Sequence, residues 1–138
     1  MATLTVFADF EQLATIRDFV ASVGRDLGLA REMIYDLQLA VDEACANVIK
    51  HAYGGQEGKL KVTVEPVGDT VQVIIRDWGS AFDPQAVPIP DVSAPLEDRP
   101  LGGLGLFLMR QMMDRVDFEF DQDRGNTLTM TKKRQGRK

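Results

Sequence analysis

The stretch that most constrains the fold runs from Leu39 to Tyr53, LAVDEACANVIKHAY. Ala40, Ala44, Val48 and Ala52 recur at every fourth residue, and Glu43, Asn47 and His51 recur at the same interval one position earlier. Residues four apart stack on one face of an α-helix. The apolar stripe has to face a core, so a carboxylate, an amide and an imidazole run in file along the edge of a buried surface. At this level two readings of that file stand open. One is local: Glu43 is solvated, Asn47 bonds within its helix, and His51 is favoured by the negative end of the helix dipole. The other is that the file faces a ligand.

The 138 residues suit one domain, 1–138, with a real core. No apolar run approaches the ~18 residues of a membrane span, so no membrane association is expected. The opening MATLTVFADFEQL has no basic start and no unbroken apolar segment, unlike a signal peptide. The single cysteine, Cys45, has no internal partner for a disulfide and reads as a small core residue. That suits the reducing cytoplasm. A net charge of −5 argues against nucleic-acid binding, which needs clustered Lys and Arg. The basic residues at 133–138 read as a solubilising tail.

Taken in order, Thr3 to Ala8 alternates as a strand and Asp9 is a plausible N-cap. Phe10 to Leu27 repeats apolar residues at helical spacing until Gly28. A second helix is expected from about Arg31 to His51, stopped by Gly54-Gly55. Lys59–Glu65 and Thr70–Asp77 alternate about a Val67-Gly68-Asp69 turn, a hairpin. In its second strand Val71, Val73, Ile75 and Asp77 share a face. Asp77 therefore points to the core side, which is costly unless something donates to it; the local alternative is a strand-ending Asp that caps a turn.

Residues 78–100 show no periodicity and hold Pro84, Pro88, Pro90, Pro95 and Pro100. Loops this long are usually functional or disordered. A helix follows from about Gly103 to Asp114, with Leu104, Phe107, Leu108 and Met112 as its expected apolar face. Met109, Met112 and Met113 read as packing residues, not a metal site. Val116, Phe118 and Phe120 alternate, and Gly125-Asn126 is expected to turn the chain into a last strand, Thr127–Lys132. Alternating strands imply a sheet covered on one face. The expected fold is an α+β two-layer sandwich: a mixed, mostly antiparallel sheet with helices on one face.

Gly102-Gly103-Leu104-Gly105 opens a helix, where bare amides and the dipole favour an anion. There is no GK[ST] phosphate loop, no strand-borne GxGxxG and no ordinary protein-kinase signature. One histidine and one cysteine leave no metal cluster of those residues, and nothing resembles a nucleophile elbow.

The order of parts is more specific: a helix with ExxxN, a strand ending in DxG, a long loop, then a glycine-rich helix start. It resembles the histidine-kinase-like (GHKL) ATPase superfamily. Asp77-Trp78-Gly79 followed by Phe82-Asp83-Pro84, the run Asp98-Arg99-Pro100-Leu101-Gly102-Gly103-Leu104-Gly105-Leu106, Met112-Met113-Asp114 and Gly125-Asn126-Thr127-Leu128 resemble the bacterial anti-sigma-factor serine/threonine kinases. The resemblance runs from about Thr3 to Lys133. It implies the Bergerat fold, ATP and Mg²⁺ as cofactors, and phosphorylation of an anti-anti-sigma (STAS-type) partner together with sequestration of a sigma factor. It also implies a homodimer.

By the same resemblance, Glu43 is the general base and Asn47 the Mg²⁺ ligand among the phosphates. Asp77 accepts from the adenine amine, and Gly79 lets the chain pass close to the base. Gly103, Leu104 and Gly105 form the phosphate cradle, and Arg99 lies near the terminal phosphate. Thr127 sits below the adenine. The loop 78–100 is the lid region, with 85–100 the ATP lid itself. His51 matches a frequent family position, where a structural role is expected. Many superfamily members read DxGxG where this chain has Asp77-Trp78-Gly79-Ser80-Ala81, which leaves the local pocket shape open. The alternatives are an ATP-binding regulatory module that acts by partner binding alone, and a detached sensor-kinase catalytic domain. The latter lacks a phospho-accepting histidine helix, because His51 lies on the ATP-site helix.

Overall fold

A computed structural model describes residues 1–54, 56–80 and 103–134 of the chain. Its elements are β1 (Ala2–Phe7), a 3₁₀ turn (Phe10–Gln12), α1 (Leu13–Asp26), α2 (Arg31–His51), β2 (Lys59–Val67), β3 (Thr70–Asp77), α3 (Gly103–Met112), β4 (Arg115–Asp121) and β5 (Gly125–Lys133). The strands form one sheet in the order β1-β2-β3-β5-β4. Every neighbouring pair is antiparallel, so the two-layer sandwich is as expected, with no parallel pair in it.

Alternation builds the buried face. Leu60, Val62 and Val64 of β2 and Val71, Val73 and Ile75 of β3 are each at most 1% exposed. The register sets Val62 opposite Ile75 and Val64 opposite Val73, so the two rows stack into one apolar surface. On it lie Ile16 and Val20 from α1, Met33, Leu37, Ala40, Val41 and Ala44 from α2, and Leu106 and Met109 from α3. Gly24 brings α1 and α2 together, since a Cβ there would stand 2.7 Å from Ile34 Cγ1. Cys45 is buried in the same core, and burial pushes its thiol up.

Four features differ from expectation in ways that bear on the packing. Helix α1 proper begins at Leu13, because Asp9 caps a tighter turn by accepting from the Glu11 amide at 2.9 Å. Strand β2 continues through Pro66 and Val67. Its pairing with β1 ends at Val64, so the missing N–H of Pro66 falls on a free edge. In α3 the buried residues are Leu106 and Met109, followed by Met113; Phe107, Leu108 and Met112 are half-buried. That helix is apolar nearly all round, so spacing alone selects no face.

The fourth difference matters most. Gly125 and Asn126 are not a turn; they open β5. The chain reverses over residues 122–124, where Asp121 Oδ1 accepts from the Asp123 and Arg124 amides at 2.8 and 3.1 Å. Asn126 therefore shares the inward parity of Leu128 and Met130.

Candidate functional site

Helix α2 crosses the buried face of the sheet, and the file Glu43, Asn47, His51 runs along one side of it. Asn47 and His51 line a cavity closed by Ile75 and Asp77 of β3, Met109 of α3, Phe118 and Phe120 of β4, and Asn126 and Leu128 of β5. Most of these walls are apolar.

Asp77 ends β3 on the inward side and is 7% exposed. Its register partners are Leu60 on β2 and Asn126 on β5. Asp77 Oδ1 accepts from Asn126 Nδ2 at 2.8 Å and from the Gly79 amide at 3.0 Å. The turn-capping alternative is thus realised together with the inward position: one carboxylate oxygen does both, and the cost of burial is met by these donors. The chain then turns sharply. A Cβ on Gly79 would lie 2.0 Å from the carbonyl oxygen of Ala52, so only glycine fits between strand end and helix end. The Ser80 amide donates to the same Ala52 carbonyl at 2.5 Å.

Tyr53 braces this corner from outside. Its hydroxyl donates to the Lys59 carbonyl and accepts from the Trp78 amide at 3.0 Å. The ring lies so close to Gly58 that a Cβ there would stand 2.2 Å from Tyr53 Cε1.

At the other end of the file, a Cβ on Gly105 would lie 2.8 Å from Glu43 Oε2 and 3.8 Å from both polar atoms of the Asn47 amide. The first turn of α3 therefore rests directly on Glu43 and Asn47. Burial, and next the neighbouring Asp42, push the Glu43 carboxyl above the ordinary range, while Lys50 pulls it down. At ~1.5 Å of rise per residue, Ala52 to Asn47 is about 7.5 Å and Ala52 to Glu43 about 13.5 Å along the helix. One end of the slot offers a carboxylate and an amide. Asn47 lines its other side, and just beyond it Glu43 meets the first turn of α3, a helix N-terminus that favours an anion.

These groups fit a nucleotide. An apolar slot closed by an acceptor suits a planar base with an exocyclic amine, and a glycine-lined helix start over Asn47 suits phosphate and a metal that keeps its waters. Among the described residues no three His, Cys, Asp or Glu side chains cluster as metal ligands, and none of their helices is long and apolar enough to cross a membrane.

The expected residues sort as follows. Asn47 and Asp77 line the cavity; Gly79 adjoins Asp77, Glu43 and Gly105 meet one helical turn beyond Asn47, and Gly103 begins α3. Thr127 lines the cavity. Its register partners, Arg76 and Glu119, place its side chain on the opposite sheet face from Asn126 and Leu128, so its share of the wall is main chain. Asn126 holds the inward position that sequence reasoning missed. Counting back by twos from Met130 and Leu128 would have found it. Arg99, Gly102 and residues 81–101 lie outside the described residues, as does the side chain of Leu104.

Comparison with known proteins agrees with this geometry. Residues 6–132 match the family model of the histidine kinase-like ATPase domain. The chain is 38% identical over 134 residues to the serine-protein kinase RsbW of Halalkalibacterium halodurans, covering 94% of this chain and 80% of that protein. It is 35% identical over 129 residues to that of Bacillus cereus, covering 91% and 79%. Among solved structures, the RsbU and RsbW domains of a Mycobacterium tuberculosis protein superpose with a TM-score of 0.65 at 17% identity, over 99% of this chain and 34% of that one. The mycobacterial sensor histidine kinase MprB gives 0.52 at 18% identity, over 99% of this chain and all of that one. At these identities the structural likeness speaks for the fold.

Proposed function

This chain belongs to the histidine-kinase-like ATPase family, on the branch of the anti-sigma-factor serine kinases, and we propose that it transfers phosphate from Mg-ATP to a serine or threonine of a STAS-type anti-anti-sigma partner. In the same reading it sequesters a sigma factor and works as a cytoplasmic homodimer. One observation carries the proposal: Asp77 and Asn126 line a cavity that Asn47 also lines, and Glu43 lies one helical turn beyond Asn47, against Gly105.

Bound Mg-ATP supplies the phosphoryl group and the charge neutralisation that such transfers need. The chain supplies position. Asp77 accepts from the base amine. The amides at the start of α3, from Gly103, Leu104 and Gly105, donate to phosphate oxygens, and Arg99 from the lid adds charge. The Asn47 side-chain oxygen ligates the metal. Glu43 takes the proton of the attacking hydroxyl, a role that suits a carboxyl whose pKa burial raises above the ordinary range. The apolar walls exclude water from the reacting groups.

The test is phosphate transfer to an anti-anti-sigma partner by wild type and Glu43→Ala, with ATP binding measured alongside. Loss of transfer with binding retained is expected. Transfer by Glu43→Ala at the wild-type rate would overturn the base assignment. Binding without transfer by wild type would favour a regulatory module that acts by partner binding.

A further inference from the structure

Asn126 sits beside Asp77 with its amide orientation fixed by its surroundings. Its Nδ2 lies 2.8 Å from Asp77 Oδ1, 3.0 Å from the Gly79 carbonyl and 3.3 Å from the Ser80 carbonyl. Three acceptors surround this atom. Reversing the amide would set an oxygen against three oxygens, so the nitrogen must face them. The side-chain oxygen Oδ1 then faces away from the turn. Asn126 lines the cavity, and among the described residues nothing donates to that oxygen. Asp77 Oδ2 is equally unengaged there. Among the described residues the only fully buried side-chain nitrogen or oxygen without a partner is Arg76 Nε, so neither oxygen is a buried orphan. They belong to residues directly opposite each other on neighbouring strands, about 4.8 Å apart in the sheet.

An exocyclic amine has two hydrogens and therefore uses two acceptors. A 6-oxo purine would set its own oxygen against both. We infer that Asn126 is a specificity-determining residue of the nucleotide site, reading the second hydrogen of the adenine amine while its nitrogen holds Asp77 and the 77–80 turn in place. This rests on the adenine-site reading above and adds to it a residue and a selection rule: a free 6-amino group is read on both of its hydrogens.

The test is calorimetric binding of ADP, IDP and N6-methyl-ADP, with Mg²⁺, to wild type, Asn126→Ala, Asn126→Thr and Asp77→Asn. Each variant is checked for folding by its unfolding midpoint without nucleotide. Threonine keeps a hydroxyl donor for Asp77 on a residue suited to a strand, so it stands in if alanine loosens the fold. Wild type is expected to prefer ADP to N6-methyl-ADP by about tenfold, the scale of one hydrogen bond with its partner left unmet. Asn126→Ala is expected to bring that ratio near one, because it withdraws the acceptor and leaves room for the methyl group; Asn126→Thr, with a shorter side chain whose hydroxyl is turned to Asp77, should lower the ratio in the same direction. A purely structural Asn126 would instead weaken both nucleotides alike and leave the ratio unchanged; that result overturns the inference. Asp77→Asn should lose ADP binding. If wild type binds no ADP, or Asp77→Asn binds as wild type does, the adenine-site reading itself fails. If Asp77→Asn fails to bind while a folded Asn126 variant keeps the full preference, only the role of Asn126 is refuted.

Discussion

Glu43 is the residue on which the chemistry turns, and its environment carries a pH signature. Burial and Asp42 disfavour its charged form. Below its raised pKa the side chain is protonated and takes no proton from a hydroxyl. Phosphate transfer should therefore rise with pH along an acid limb that lies above the ordinary 4.5 of glutamate, and a pH–rate profile checks this. The stability consequence has the opposite sense. A carboxyl whose folded pKa exceeds its unfolded one binds more protons when folded, so its contribution is full at low pH and is lost as pH rises through the folded pKa. Glu43→Gln should then unfold at the same or a higher temperature than wild type at pH 7, with the difference shrinking as pH falls. A site residue whose removal leaves the fold equal or firmer is placed for function, not for stability.

At the scale of elements, α2 works as a ruler whose two ends are held by different means. Its Glu43–Asn47 end meets α3, and its C-terminal end is tied to the exit of β3 by the Ser80–Ala52 hydrogen bond and by Tyr53. Tyr53→Phe keeps the ring over Gly58 and deletes both hydroxyl bonds. Water can replace these partly exposed partners, so the expected cost is about 1 kcal/mol, the low end for two bonds. ATP affinity should fall with it, because the 77–80 turn loses its brace. Equal ATP affinity in the two proteins, measured by calorimetry, would show that the turn holds itself.

The elements were unequally legible in the sequence. Helix α2 matches its expected span because its stripe, its polar file and the glycines after it all agree. Asp77 could be placed inward by parity alone. Local chemistry hides Asn126, because Gly-Asn is a turn dipeptide; the parity of Leu128 and Met130 carried back places it, paired with both β3 and β4. The face of α3 was illegible for another reason. Its residues are nearly all apolar, so the choice among them belongs to α2 and the sheet.

The described residues form a single antiparallel sheet with helices on one face, and the site lies where the helix layer meets the sheet, at the end of β3 beside the start of β5. The opposite face is more polar, carrying Lys61, Gln72, Arg76 and Thr129. Ligand binding at such a seam joins both layers and should stabilise the fold as a whole. A ligand present at ~100 times its Kd adds roughly 2.7 kcal/mol, which for a domain of this size is a rise of roughly 5–15 °C in unfolding midpoint.

The most direct measurement is therefore thermal unfolding of wild type and Asp77→Asn, each with and without Mg-ATP. A rise of that size in wild type, absent in Asp77→Asn, is what the slot between α2 and the sheet predicts. No rise in wild type, or an equal rise in both, would contradict a nucleotide site built on Asp77.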